Sequence, residues 1–305
     1  MRVAAIDCGT NSIRLLIADI GDGKLREIVR TMEIVRLGQG VDQTGEFNPD
    51  AISRTLNAVE NYAAEISRRG VQRIRFCATS ATRDATNREL FVSGVKERLG
   101  IEPEVISGEE EARLSFLGAT KELPVSLSPF LVIDIGGGST EFVMGDRAVR
   151  AAKSVNIGCV RMSERHFAHD PATSDEIESA RSDIQKAIAE AAKIVRITEA
   201  KTLVAVAGTA TTVAAAALEL EIYDRYSIHL SKISAEKTHK VSEMFLQMTR
   251  AERASLGYMH PGRVDVIGAG SLILSEIMKA TGAEEFLASE SDILDGMAWN
   301  LGDQD

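Results

Sequence analysis

Cysteine is scarce in this sequence: three residues, Cys8, Cys77 and Cys159, lie far apart in apolar settings. An odd, scattered set excludes a disulfide framework and a zinc cluster and points to a reduced, cytoplasmic protein. Long runs of one charge are also missing. The formal net charge is −10, from 45 acidic against 35 basic residues, so a general nucleic-acid or anionic-membrane surface is excluded and any polyanion must be met locally. No hydrophobic run is long enough for a membrane. The longest uncharged stretch, TLVAVAGTATTVAAAAL from Thr202, carries Gly208 and four threonines and falls short of the roughly 20 apolar residues a span requires. It reads as strand, loop and helix. At the N-terminus, MRVAAIDCG is interrupted by Asp7, which leaves no room for a signal-peptide core.

What is present is ordinary globular composition: 305 residues, 44% hydrophobic and 26% charged, too long for one comfortable core. Two domains are expected, 1–123 and 124–289, with a last helix near 290–305 returning to the first. Strand patterns at 2–8, 12–20 and 24–37 open the chain, and a helix at 49–69 follows Asn48 and Pro49 with Ile52, Leu56, Val59, Tyr62 and Ile66 on one face. A strand at 71–78, the polar segment TSATRDATN, a helix near 87–99, a strand at 102–106 and a helix at 108–121 complete the first part. The second part repeats that grammar with strands at 130–135, 140–145 and 148–156, then a loop, a helix at 173–198, a strand at 202–206 and mostly helices beyond.

The repeat is visible residue by residue. AIDCGTNSIRLLI (5–17) and VIDIGGGSTEFVM (132–144) match Asp7 to Asp134, Gly9 to Gly136 and Ser12 to Ser139, each 127 positions apart. A strand ending in Asp-x-Gly presents backbone N–H groups in a concave turn that binds phosphate oxygens without net positive charge. The carboxylate has another use, since it holds Mg²⁺ that bridges to phosphate. A lone turn of this kind is equally an ordinary hairpin. Duplication, with a third loop, AGTATT (207–212), opening a helix after a strand, argues for a phosphate site.

These motifs resemble the exopolyphosphatase and guanosine pentaphosphate phosphohydrolase (Ppx/GppA) family of the actin-like superfamily. The carriers are AAIDCGTNSIRLLIA (4–18), ATSATRDATN (78–87), VISGEEEARLSFLGA (105–119), LVIDIGGGSTEFVMG (131–145), VNIGCVRMSE (155–164), VAGTATTVAA (206–215) and PGRVDVIGAGSLIL (261–274). Two departures are Cys8, where an aliphatic residue is usual, and Ala207, where the third loop usually begins with a second glycine. The resemblance implies two actin-like (ribonuclease H-like) α/β domains with a cleft between them.

It also implies roles. Phosphate would be held by Gly9, Thr10, Asn11 and Ser12, by Gly136, Gly137, Gly138, Ser139 and Thr140, by Gly208, Thr209 and Thr211, and by Arg14 and Arg83. Arg83 is expected in a polar loop. Asp7, Asp134 and Glu141 would hold Mg²⁺, or Mn²⁺ in its place. Glu111 would be the general base that activates water, whereas Ser107, Glu109 and Glu110 read as a helix start with a capping box. Arg263 is carried as a nucleotide or distal-phosphate contact. His166 and His169, spaced i, i+3 beside Asp170, read as a solvated loop.

The implied activity is Mg²⁺-dependent removal of the terminal phosphate of inorganic polyphosphate, with short chains expected because longer members carry a C-terminal helical extension. Guanosine pentaphosphate or tetraphosphate as ligand remains the alternative, either hydrolysed or bound by a non-catalytic sensor. A kinase or ATPase reading would use GAGS (268–271) as an adenosine loop, but helical periodicity through 262–278 favours a helix there. A homodimer is a family-based expectation.

Overall fold

The computed structural model describes residues 1–302; positions 303–305, at the end of the expected last helix, lie outside the described residues. The chain divides into two units, Met1–Gly118 with the chain from Ile293 onward, and Ala119–Asp292.

The first unit holds strands β1 (Arg2–Cys8), β2 (Ser12–Gly21), β3 (Lys24–Ile34), β4 (Arg73–Ala78) and β5 (Glu104–Val105) in the order β3-β2-β1-β4-β5. β1 pairs antiparallel with β2 and parallel with β4. Being central, it is covered on both faces, which is why it reads as an unbroken apolar run up to Asp7. Alternation still sorts its side chains. Ala4, Ile6 and Cys8 join the helix Pro49–Arg68 through Ile52, Val59, Tyr62 and Ile66. Val3 and Ala5 meet Ile293, Leu294, Met297 and Ala298 of the helix Ile293–Gly302. The first helix starts where the sequence signals, with the Asn48 side chain accepting from the Asp50 N–H and Pro49 in the first turn.

The second unit repeats the plan with β6 (Phe130–Ile135), β7 (Thr140–Gly145), β8 (Val149–Val155), β9 (Thr202–Val206), β10 (Lys232–Ser234) and β11 (Glu285–Ala288), in the order β10-β11-β9-β6-β7-β8. β6 is again central, antiparallel to β7 and parallel to β9. Its core is formed with the helices Ser174–Ala192, Ala207–Ala217, Ala235–Gln247 and Ile267–Thr281. A meander whose first strand becomes the sheet centre, followed by a parallel neighbour, is thus built twice, as the sequence repeat indicates.

Three local readings are corrected. The stretch after β8, expected as loop, contains the helix Cys159–His166, whose Cys159, Val160 and Met162 are buried. Arg83 sits on a short helix, Ser80–Asp84, rather than in a polar loop. His166 is not in a loop: it ends the helix, half-buried, and its ring bonds Ser179 Oγ at 3.1 Å and Asp183 Oδ2 at 3.2 Å, while His169 lies exposed beyond the helix, as read, and bonds Glu176 at 2.8 Å. GAGS lies within the helix Ile267–Thr281, as its periodicity indicates. All three cysteines are unbridged and buried, and no helix among the described residues is long and apolar enough to cross a membrane.

Candidate functional site

Each central strand carries a buried aspartate as its penultimate residue, a tight turn follows, and the two turns close alike. The Gly9 N–H donates to Ser12 O at 2.9 Å and the Gly136 N–H to Ser139 O at 3.0 Å. Ligands gather at the carboxyl ends of strands in open α/β sheets, so both turns stand where a substrate is met.

In the second unit the carbonyls of this turn are all engaged from one side. Gly136 O accepts from the Cys159 N–H (2.9 Å), Gly137 O from the Val160 and Arg161 N–H groups (2.9 and 3.1 Å), and Gly138 O from Arg161 Nε (2.8 Å). In a planar trans peptide the N–H points opposite to the carbonyl. The N–H groups of Gly137, Gly138 and Ser139 are therefore turned the other way, the concave arrangement that suits an anion. Gly158 makes this possible: a Cβ there would lie 2.3 Å from the Gly137 carbonyl and 2.5 Å from the Gly138 nitrogen. In the first unit the same logic turns the N–H groups of Asn11 and Ser12. The Thr10 carbonyl accepts from Gly38, and the Asn11 carbonyl from Val35 and Arg36, at 2.8–3.1 Å.

The charged partners differ between the copies. Directly opposite Asp7 on β2 stands Arg14, whose Nε and Nη2 both donate to Asp7 Oδ2, at 3.0 and 2.6 Å. Directly opposite Asp134 on β7 stands Glu141. Its Oε1 accepts from Ser139 Oγ at 2.8 Å and Ser154 Oγ at 2.7 Å. The Ser139 hydroxyl, expected at phosphate, is thus committed to Glu141, and Thr140 Oγ1 donates to the Ile157 carbonyl; these two positions offer backbone rather than hydroxyls. Opposed like charges are unfavourable, and buried ones strongly so, unless a cation joins them. Asp134 and Glu141, both buried, therefore fit a hard, oxygen-seeking divalent cation such as Mg²⁺ or Mn²⁺. Among the described residues no group of three or more His, Cys, Asp or Glu side chains stands ready to hold a metal, so water and substrate oxygens would supply its other ligands.

Glu111 lies buried in the first turns of the helix Gly108–Thr120. Arg83 Nη1 donates to Glu111 Oε2 at 2.7 Å and to the Ile106 carbonyl at 2.9 Å, so the arginine and the glutamate expected to act together are paired. The helix start behaves partly as read. Ser107 Oγ accepts from the Glu110 N–H at 3.2 Å, while the Glu110 carboxylate goes to Arg113 and Arg75. Those hydrogen bonds, that to Arg113 foremost, hold the Glu110 carboxyl below its usual range.

The third loop follows β9. Ala207 adopts φ +66°, a left-handed conformation that explains why glycine is usual there. Gly208 lies against Arg263, since a Cβ on it would come within 2.6 Å of the guanidinium, and Arg263 Nη1 donates to Thr212 Oγ1 at 3.1 Å. Thr209 packs against Gly270, and Thr211 hydrogen-bonds Tyr223. Sequence reasoning missed Tyr223 and Glu290, whose hydroxyl and carboxylate meet at 2.5 Å beside this loop. Burial, then the neighbouring Glu290 charge, pushes the Tyr223 hydroxyl up to about 12, and burial likewise raises Glu290. Ser154 was missed too; only its place across from Glu141 singles it out.

A duplicated α/β sheet with an Asp-led turn beside each central strand defines a two-unit α/β protein. The chain belongs to the Ppx/GppA phosphatase family, whose model matches residues 16–301. It is 46% identical over 313 residues to Exopolyphosphatase 2 of Mycobacterium tuberculosis, covering 98% of each chain. A crystal structure of an exopolyphosphatase-like protein superposes with a TM-score of 0.95 at 42% identity, over 100% of this chain and 99% of the other. Similarity to the guanosine-5'-triphosphate,3'-diphosphate pyrophosphatase of Pseudoalteromonas atlantica is 36% over 189 residues, 62% of this chain and 37% of that protein.

Proposed function

We propose that the protein is an exopolyphosphatase that removes the terminal phosphate of inorganic polyphosphate and releases orthophosphate. The observation that carries this reading is the end-to-end match to Exopolyphosphatase 2, against a partial match to the guanosine-nucleotide hydrolase. The site chemistry supports it. Phosphate oxygens bind the N–H groups of the three loops, which need no net positive protein. Arg14 and Arg83, held on Asp7 and Glu111 in the absence of substrate, transfer to incoming phosphate, a better bidentate partner. Glu111, released from Arg83, accepts the proton of a water whose oxygen attacks the terminal phosphorus in line. As the new P–O bond forms, the bridging P–O bond breaks with its electron pair on the shortened chain, which is the leaving group, and the water oxygen stays in the orthophosphate that is released. Asp134 and Glu141 hold Mg²⁺ or Mn²⁺, which when bound supplies neutralisation of charge on the phosphoryl oxygens. Asp7, expected as a further cation ligand, is held by Arg14 and would be open to a cation once that arginine moves to phosphate.

Guanosine pentaphosphate is the second reading, favoured by the polar cluster of Tyr223, Glu290 and Arg263 beside the third loop. One experiment separates the two. Orthophosphate release is measured with Mg²⁺ from short polyphosphate and from guanosine pentaphosphate, using the wild type and Glu111→Ala. Release from polyphosphate that falls by about 10²–10⁴ in the variant is expected for loss of a general base. Glu111-dependent release from the nucleotide alone would transfer the function to alarmone hydrolysis, and silence on both substrates would leave a binding sensor.

A further inference from the structure

β6, β7 and β8 align Asp134, Glu141 and Ser154 as directly opposed partners, so their side chains stand on one face of the sheet. The matching row in the first unit is Asp7, Arg14 and Met32. Where the central aspartate meets an arginine, the third strand carries an apolar side chain. Where it meets a second carboxylate, the third strand carries a hydroxyl.

That hydroxyl is directed. Ser154 Oγ, from β8, and Ser139 Oγ, from the turn before β7, converge on the same oxygen of Glu141, Oε1. A single donor fixes a distance but lets a carboxylate swing about it, whereas two donors on one oxygen from different directions fix its plane. Ser139 belongs to the turn that would move with a bound phosphate. Ser154 is pinned by the β7–β8 ladder, which makes it the steadier of the two.

We propose that Ser154 is a positioning residue for the divalent cation: it anchors Oε1 of Glu141 so that this carboxylate and Asp134 present their oxygens to one ion. The proposal rests on reading Asp134 and Glu141 as the cation's protein ligands. Hydrogen-bond partners of metal ligands act in this way elsewhere, orienting the ligand without touching the ion.

The test compares Ser154→Thr with Ser154→Val, which share a shape and differ in the hydroxyl, in the full-length protein. Mn²⁺ binding is titrated calorimetrically without substrate, alongside the thermal midpoint in chelator. The valine variant is expected to bind Mn²⁺ about tenfold more weakly and the threonine variant within about twofold of wild type. Raising Mn²⁺ should return the valine variant toward wild-type kcat with its KM for polyphosphate unchanged. Wild-type Mn²⁺ affinity in the valine variant, or equal weakening in both variants, would overturn the proposal. Ser154→Ala, read by the same titration, replaces the valine variant if that one does not fold. Asp134→Asn provides the reference. If it binds Mn²⁺ as the wild type does, the cation reading fails and takes the proposal with it. If it binds weakly while the valine variant does not, only the role of Ser154 is lost.

Discussion

Arg14 and Glu141 occupy the same place in two copies of one hairpin, 127 positions apart, each directly opposite the aspartate near the end of its central strand. Evolution of the copies has kept the turn and reversed this charge. The first hairpin sets an arginine against its aspartate, and the second sets a glutamate there. Arg14→Glu would give the first hairpin the charge pattern of the second. Breaking a nearly buried ion pair costs about 3–5 kcal/mol, so the variant should melt well below wild type in chelator and recover more than wild type does on adding Mg²⁺. Thermal melts with and without Mg²⁺ check this, and an unchanged Mg²⁺ response would refute it.

The three atoms nearest to a Cβ on Gly208 would all belong to the Arg263 guanidinium group, which can be displaced without disturbing a sheet. Gly208→Ala should therefore raise KM for polyphosphate several-fold while shifting the thermal midpoint by little. Steady-state kinetics and melting curves on the same preparation separate the two effects. A collapse in stability with KM unchanged would show that the contact serves packing instead.

Ala207 holds a left-handed conformation at φ +66°, which costs a residue with a Cβ about 1–2 kcal/mol. Glycine avoids that cost but loses more freedom on folding. The net expectation for Ala207→Gly is a gain of about 0.5–1 kcal/mol, measured by denaturant unfolding. A loss of stability would mean that the neighbouring residues already accommodate the alanine methyl.

Glu290 links stability to pH. Burial raises its carboxyl above the ordinary 4.5, with Tyr223 and Arg225 opposing. The folded state thus holds the proton more tightly than the unfolded one, so the stabilisation is complete below the unfolded value and is lost as pH rises through the folded value. Glu290→Gln stays neutral throughout. The stability of wild type relative to this variant should fall between pH 4 and pH 7, and denaturant midpoints across that range test it. A constant difference would place the titration elsewhere.

Much of the site was legible because it is local. The strand, the Asp-x-Gly turn and the 127-residue repeat are consecutive residues whose backbone needs are written in their side chains, and the structure closes both turns with the same bond. Pairings across distance were not legible. Arg83 and Glu111 are 28 positions apart, and nothing in either segment announces that one holds the other. The helix Cys159–His166 escaped notice because eight residues carry barely two turns of periodicity. Its Gly158, though within a recognised motif, reveals its purpose only through the backbone it lies against. Ser154 leaves no local signal at all; strand register alone places it beside a carboxylate.

The helix Ile293–Gly302 covers one face of the first sheet, although the chain reaches it only after the whole second unit has been made. On the ribosome, then, the second unit is contiguous and can consolidate as it emerges, whereas the first must keep Val3, Ala5, Leu16 and Ala18 uncovered by that helix until Ile293–Gly302 is made. At about 5–20 residues per second that interval is roughly fifteen to fifty-five seconds. The first sheet to be translated is the last to be completed, and during that wait its exposed strands are where a chaperone would find the nascent chain.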